Sequence, residues 1–143
     1  MMLVFAALWV LLPSASAAEP IHTQLCKLVA TPKHFTGKKV TFEADVVTDW
    51  HHGTVLTDSQ CKGGIELTST EEVPRAENAA LDEAVGTPLT GGYNRSARAI
   101  FTGVFYWKPA PAGQQAHFFN PRQFTAANIT NVSVRQRLVG GLR

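Results

Sequence analysis

The sequence predicts an all-β fold with two short helices, and three observations predict it. The chain has 143 residues, the length of one domain. Its clearest local pattern has period two: Val40, Phe42, Ala44 and Val46 alternate with Thr41, Glu43 and Asp45. The elements then follow in the order helix, three strands, helix, two strands. Composition agrees: 45% of residues are hydrophobic and 17% charged, too apolar and too weakly charged for intrinsic disorder. Neither heptads nor a repeat of 20–50 residues is present, which excludes coiled coils and solenoids. A formal net charge of +2 does not by itself imply a nucleic-acid partner.

Residues 1–18 read as a signal peptide and 19–143 as the single folded domain. Leu3 to Leu12 is an uncharged apolar run. Ten residues fall short of the about 20 needed to span a bilayer. Pro13 ends the run, and Ala15-Ser16-Ala17 is a small-x-small cleavage signal, with the cut after Ala17 or Ala18. The segment before the run is only Met1-Met2, so the amino terminus itself supplies the positive charge. The alternative is an uncleaved anchor. No later stretch approaches transmembrane length, so the expected product is soluble and periplasmic or secreted.

Thr23 is placed to cap a short helix carrying Leu25, Leu28 and Val29. Pro32 ends that helix or opens a second turn, which Gly37 stops. The alternating strand follows, and its pattern slips at Val47, which predicts a bulge or bend. Asp49-Trp50-His51-His52-Gly53 turns the chain into Thr54-Val55-Leu56-Thr57, the second strand. Asp58 to Gly64 is a turn, and Ile65 to Thr68 a short third strand. Pro74 to Val85, closed by Gly86, has the punctuation of a helix. Gly91-Gly92 lies in a loop. From Ala99 to Trp107 both alternating sets are mostly apolar, which predicts a strand largely buried on both faces. Gly103 inside it marks a sharp coil or a close backbone approach. Lys108 to Gln115 is a loop, and the region from His117 to Arg135 holds the fifth strand. The tail from Leu138 is expected to fray.

Two cysteines remain, Cys26 and Cys61. An even count in an exported chain favours a structural disulfide. It would close a loop of about 36 residues, worth roughly 3–4 kcal/mol in the chain-entropy model. A metal pair or a reactive thiol is the other reading, but a spacing without C-x-x-C is a poor zinc signature.

Five strands with a helix between the third and fourth is the layout of an OB-fold, a small Greek-key barrel. Leu25-Cys26-x-Leu28, Phe35-x-Gly37-Lys38-x-Val40-x-Phe42, Leu56-x-Asp58-x-x-Cys61 and Ile65-x-Leu67 together resemble small exported bacterial proteins of OB type, a group for the most part without an assigned function. The resemblance covers about residues 22–134. It implies a five-stranded OB-fold-like barrel and an extracytoplasmic compartment, and it brings no catalytic residue.

Candidate chemistry is sparse. His51 and His52, with Asp49, could meet a metal only within a turn, because adjacent strand side chains point to opposite faces. His22, His34 and His117 are scattered. No nucleophile elbow, H-E-x-x-H motif or P-loop is present. Asp45, Asp49 and Asp58 lie in the first hairpin, where a nuclease on this fold could use acids around a metal. Asp45 alternates with core residues and is expected on the solvent face, and Asp58 has the character of a turn former. The sequons at Asn94, Asn128 and Asn131 would be glycan acceptors only in a eukaryotic secretory pathway.

Charge order is the most informative pattern. All 11 acidic residues lie at or before Glu83. Arg95, Arg98, Lys108, Arg122, Arg135, Arg137 and Arg143 follow with no acid among them. Tyr93, Tyr106, Trp107, Phe118 and Phe119 interleave with these cations, as in single-strand binders. In a closed barrel, however, late strands pair with early ones, so halves of the sequence need not be halves of the surface. Glu66 on the third strand also opposes a nucleic-acid face.

These features lead to an exported, non-enzymatic binding or accessory module with one disulfide and no cofactor. Its ligand would be a protein, a polysaccharide or another envelope component. Loop position and residue type nominate Trp50, His51, Tyr93, Arg95, Trp107 and Lys108 for its surface. The alternative is a metal-dependent hydrolase of the nuclease type using Asp45, Asp49 and His51.

Overall fold

The computed structural model describes residues 18–48, 53–86, 95–113 and 120–136. Its strands are β1 (Ile21–His22), β2 (Lys39–Thr48), β3 (Thr54–Thr57), β4 (Gly64–Ser69), β5 (Arg95–Trp107) and β6 (Arg122–Gln136). Its helices are α1 (Leu25–Ala30), α2 (Pro32–Phe35) and α3 (Arg75–Val85). Strands β2, β3, β4, β6 and β5 pair in that order, and β5 pairs back onto β2. This closes a five-stranded, OB-fold-like barrel with α3 between its third and fourth strands. The β4–β6 pairing is parallel, and the other barrel pairings are antiparallel. No helix among the described residues is long and apolar enough to cross a membrane.

The alternation in β2 does what period two requires. Val40, Phe42, Ala44 and Val46 are buried, while Glu43 is exposed. With Phe101, Phe105 and Phe124 they form the barrel interior. Phe42 packs edge-on against Phe124 with ring centroids 5.0 Å apart and stacks on Phe101 at 6.1 Å. Strand β5 buries one face fully, through Ala97, Ala99, Phe101 and Phe105. Its other face, Ile100, Thr102, Val104 and Tyr106, is only half-buried. The expectation of burial on both faces is corrected to that extent. Gly103 is the close approach its position suggested: a Cβ there would overlap the carbonyl oxygen of Thr125.

Four local expectations change. Thr23 does not cap α1. Gln24 occupies the N-cap without a side-chain bond, and the Thr23 N–H is spent on the Thr41 carbonyl. That bond continues β1, a two-residue strand parallel to β2 that no periodicity announced. Of the bulge or bend expected at Val47, the bulge is absent: β2 keeps register with β3 from Asp45 to Thr48, while its pairing with β5 ends at Val46. Irregularities fall instead in β5–β6, near Ile100 and Gly103, and in β4–β6 near Leu67. Finally, Pro32 opens a second turn, one of the two outcomes expected of it, so the described residues carry three short helices where two were expected.

Helix α3 starts at Arg75 with Pro74 at its N-cap, and it stops at Gly86, whose φ is 75°. Leu81, Ala84 and Val85 turn inward. Glu77 accepts the backbone N–H of Ile129 at 2.7 Å, beside the irregular stretch of β6. The Cys26–Cys61 disulfide joins α1 to the β3–β4 turn. The N-terminal segment is thereby held against the barrel wall. The first seventeen residues and the tail from Leu138 lie outside the described residues.

Candidate functional site

The opposed charges of the two halves of the chain meet on one flank of the barrel. The β2–β5 register sets Arg98 directly opposite Asp45. Arg98 Nε donates to Glu43 Oε1 at 2.8 Å and its Nη1 to Asp45 Oδ2 at 3.1 Å. Its Nη2 lies 3.9 Å from Asp58 Oδ2, and Arg135 Nε lies 3.9 Å from Asp45 Oδ1. The hydrogen bond from Arg98 holds the Glu43 carboxyl below its ordinary range, although burial opposes the shift. The bond to Glu43 in turn raises Arg98. Asp58 is also the turn former expected of it, accepting the Gln60 N–H at 2.9 Å. Asp45 lies on the outer face, as alternation predicts. It is covered by Arg98 and Arg135 rather than open to water, and its side chain is 20% exposed.

This network answers the charge asymmetry. Glu43, Asp45 and Asp58 of the acidic half are matched by Arg98 and Arg135 of the basic half, so these cations do not form a free basic stripe. The carboxylate of Asp45, nominated for a hydrolase, is held by arginine. Its companions in that reading, Asp49 and His51, lie outside the described residues. Among the described residues no three His, Cys, Asp or Glu side chains come together in a way that could hold a metal ion.

Of the nominated binding residues, Trp50, His51 and Tyr93 lie outside the described residues. Arg95 and Trp107 are placed far apart, because they begin and end the 13-residue strand β5. At about 3.3 Å per residue, some 40 Å of strand separates them. Arg95 pairs with Gln136, whereas the Trp107 N–H donates to Thr36 Oγ1 after α2 at 2.9 Å. The Trp107 ring packs against the core and continues the inward row of Phe101 and Phe105. The guanidinium of Arg122 sits 5.9 Å from its centroid. Lys108 is exposed, with its ammonium 4.9 Å from the ring of Tyr106. Trp107 and Lys108 are thus neighbours in the chain only, each in its own ring–cation pair, Trp107 with Arg122 and Lys108 with Tyr106.

The face of β3 and β4 that OB-folds use for nucleic acid offers little here. Its outward positions include Val55, Thr57 and Glu66, with Glu66 set between Val55 and Gln123. These positions carry neither a stacking ring nor a cation, the two things a single strand requires.

A further cavity lies elsewhere. It is a groove of about 370 Å³ between α3 and the ends of β2, β3 and β4. Val46, Leu67, Leu81 and Val85 supply its apolar wall, and Thr68, Ser69, Asn78, Glu71 and Asp82 its polar edge. Helical spacing explains the α3 contribution. Asn78, Leu81, Asp82 and Val85 are at i, i+3, i+4 and i+7 and share one stripe. Asn78 Nδ2 donates to the Thr70 carbonyl at 3.1 Å, which fixes the first turns of the helix to the end of β4. Residues 78–85 were legible as a helix, but no signal in the sequence marked them as half of a groove. Their counterparts lie on strands up to about forty residues away.

A scan against protein-family models finds no match, and a search of curated proteins finds none either.

Proposed function

We propose that this chain is a non-enzymatic binding module that acts outside the cytoplasm, with the α3 groove as its binding site. Its ligand is a protein, a glycan or another component of the cell envelope. The groove is the observation that carries the reading. It is concave, half apolar and half polar, and within the size range of small-ligand sites. Among its described lining residues there is no histidine or cysteine, and so no nucleophile–base pair of the common kinds. Two features support the compartment: the Cys26–Cys61 bridge suits an oxidising environment, and Leu3 to Leu12 reads as the apolar core of a signal peptide.

The test is an NMR titration of the oxidised, isotope-labelled protein with soluble envelope fragments, namely muropeptides and N-acetylglucosamine oligomers. Saturable shifts confined to Leu67–Glu71 and Asn78–Val85, with the fragment recovered chemically unchanged, are expected. Conversion of the fragment would overturn the non-enzymatic reading. Shifts confined to Tyr106, Trp107, Lys108 and Arg122 would move the site to the ring–cation end of β5.

A further inference from the structure

We infer that the α3 groove selects a ligand with an apolar body and a positively charged nitrogen, an alkylammonium or alkylguanidinium group. The inference rests on the reading of the groove as a binding site and adds the chemistry of its occupant. Four side chains, Val46, Leu67, Leu81 and Val85, provide an apolar wall for a hydrocarbon segment. The polar edge presents several acceptors. The Thr68 hydroxyl donates to the Phe124 carbonyl at 3.1 Å. The Asn78 amide donates to the Thr70 carbonyl, which leaves the Asn78 carbonyl oxygen as an acceptor. Ser69 Oγ accepts the Glu71 N–H at 3.3 Å.

Glu71 and Asp82 then give the edge two negative charges. No Lys, Arg or His is among the described lining residues, and neither acid has a cationic partner among the described residues. The contrast is with the Arg98 flank, where Glu43, Asp45 and Asp58 converge on one guanidinium. In a chain of formal net charge +2, an unmatched acidic edge around an apolar wall is complementary to an amphiphilic cation. The volume of about 370 Å³ is near the lower end for ligand pockets, which favours a short chain over a large ring system.

Calorimetric titration with four probes of equal chain length tests this: hexylamine, hexylguanidine, hexanol and hexanoate. The two cations are expected to bind saturably, about tenfold tighter than hexanol, with hexanoate weakest. Raising salt from 0.05 to 0.5 M should weaken the cations and leave hexanol unchanged. Glu71→Gln with Asp82→Asn should abolish the preference for the cations while leaving the urea midpoint unchanged, since both side chains are exposed. Hexanol binding as tightly as hexylamine, with shifts at Leu67 and Leu81, would overturn the charge selection and leave the groove a binding site. No binding by any probe would overturn the inference as well. In that case a positive titration with envelope fragments would still uphold the groove.

Discussion

Gly103→Ala is the sharpest test of how this barrel closes. Gly103 is fully inside β5, at one of the two irregular points of the β5–β6 ladder. A Cβ there would overlap the Thr125 carbonyl oxygen and lie 2.9 Å from both Ala126 Cα and Phe124 Cζ. Two of the three obstacles are backbone, so no rotamer change relieves them. The strands must separate locally or β6 must shift along its bulge. Overpacking costs about 1–3 kcal/mol, and immovable neighbours put this site at the upper end. The stiffer unfolded chain of alanine returns about 0.4–1 kcal/mol. The net loss is about 2–3 kcal/mol, a large part of a typical stability of about 5–15 kcal/mol. For a domain of this size that lowers Tm by roughly 6–12 °C.

Thermal unfolding followed by circular dichroism, with urea midpoints alongside, measures the loss. Gly37→Ala is the matched control. Its φ of 74° also disfavours alanine, but a Cβ there has nothing within 4 Å. Its cost is about 1–2 kcal/mol of backbone strain alone. If Gly103→Ala melts within a degree of the wild type, or later than Gly37→Ala, the close approach of β5 and β6 is not what closes the barrel.

Two further outcomes follow from the same structure. Cys26→Ser with Cys61→Ser opens a 35-residue separation, and the oxidised wild type should exceed it by about 3–4 kcal/mol in urea unfolding. A difference below about 1 kcal/mol would mean that α1 and the β3–β4 turn stay docked without the bridge. Glu43→Gln should narrow its stability gap to the wild type as pH falls. The folded carboxyl titrates below its unfolded value because Arg98 hydrogen-bonds it. Its contribution is therefore complete above the ordinary carboxylate value of about 4.3 and lost as pH falls through the lowered folded value. Glu43 is 55% exposed, so the gap at pH 7 is expected below about 1 kcal/mol. A gap that widens towards pH 3 would refute the pairing.

Much of the barrel is written in local pattern. The period-two run of β2 identifies its inner face because a strand alternates sides with every residue, whereas β5 is apolar on both alternating sets and its inner face had to come from the fold. Pro74 and Gly86 bound α3 because each restricts or permits backbone angles on its own. The pairing of Cys26 with Cys61 follows from there being two cysteines and no other partner. The resemblance to OB-type proteins supplied the order in which these elements close.

What the sequence could not show depends on partners distant along the chain. Strand β1 exists because the Thr23 N–H finds the Thr41 carbonyl, and two residues carry no periodicity to announce it. The bulges fall near Ile100, Gly103 and Leu67 rather than at Val47, because register slips where two curved strands must stay paired. The acidic and basic halves looked like separate surfaces along the chain. The Asp45–Arg98 register instead brings Glu43, Asp45 and Asp58 of one half against Arg98 and Arg135 of the other. Sequence alone determined which residues of β2 face inward, where the helix stops and which thiols meet, since those follow from backbone geometry and covalent count. Tertiary structure alone decided which charges are matched, on Arg98, and which, such as Glu71 and Asp82, have no cationic partner among the described residues. A charge is answered by what lies near it in space, and chain order does not encode that distance.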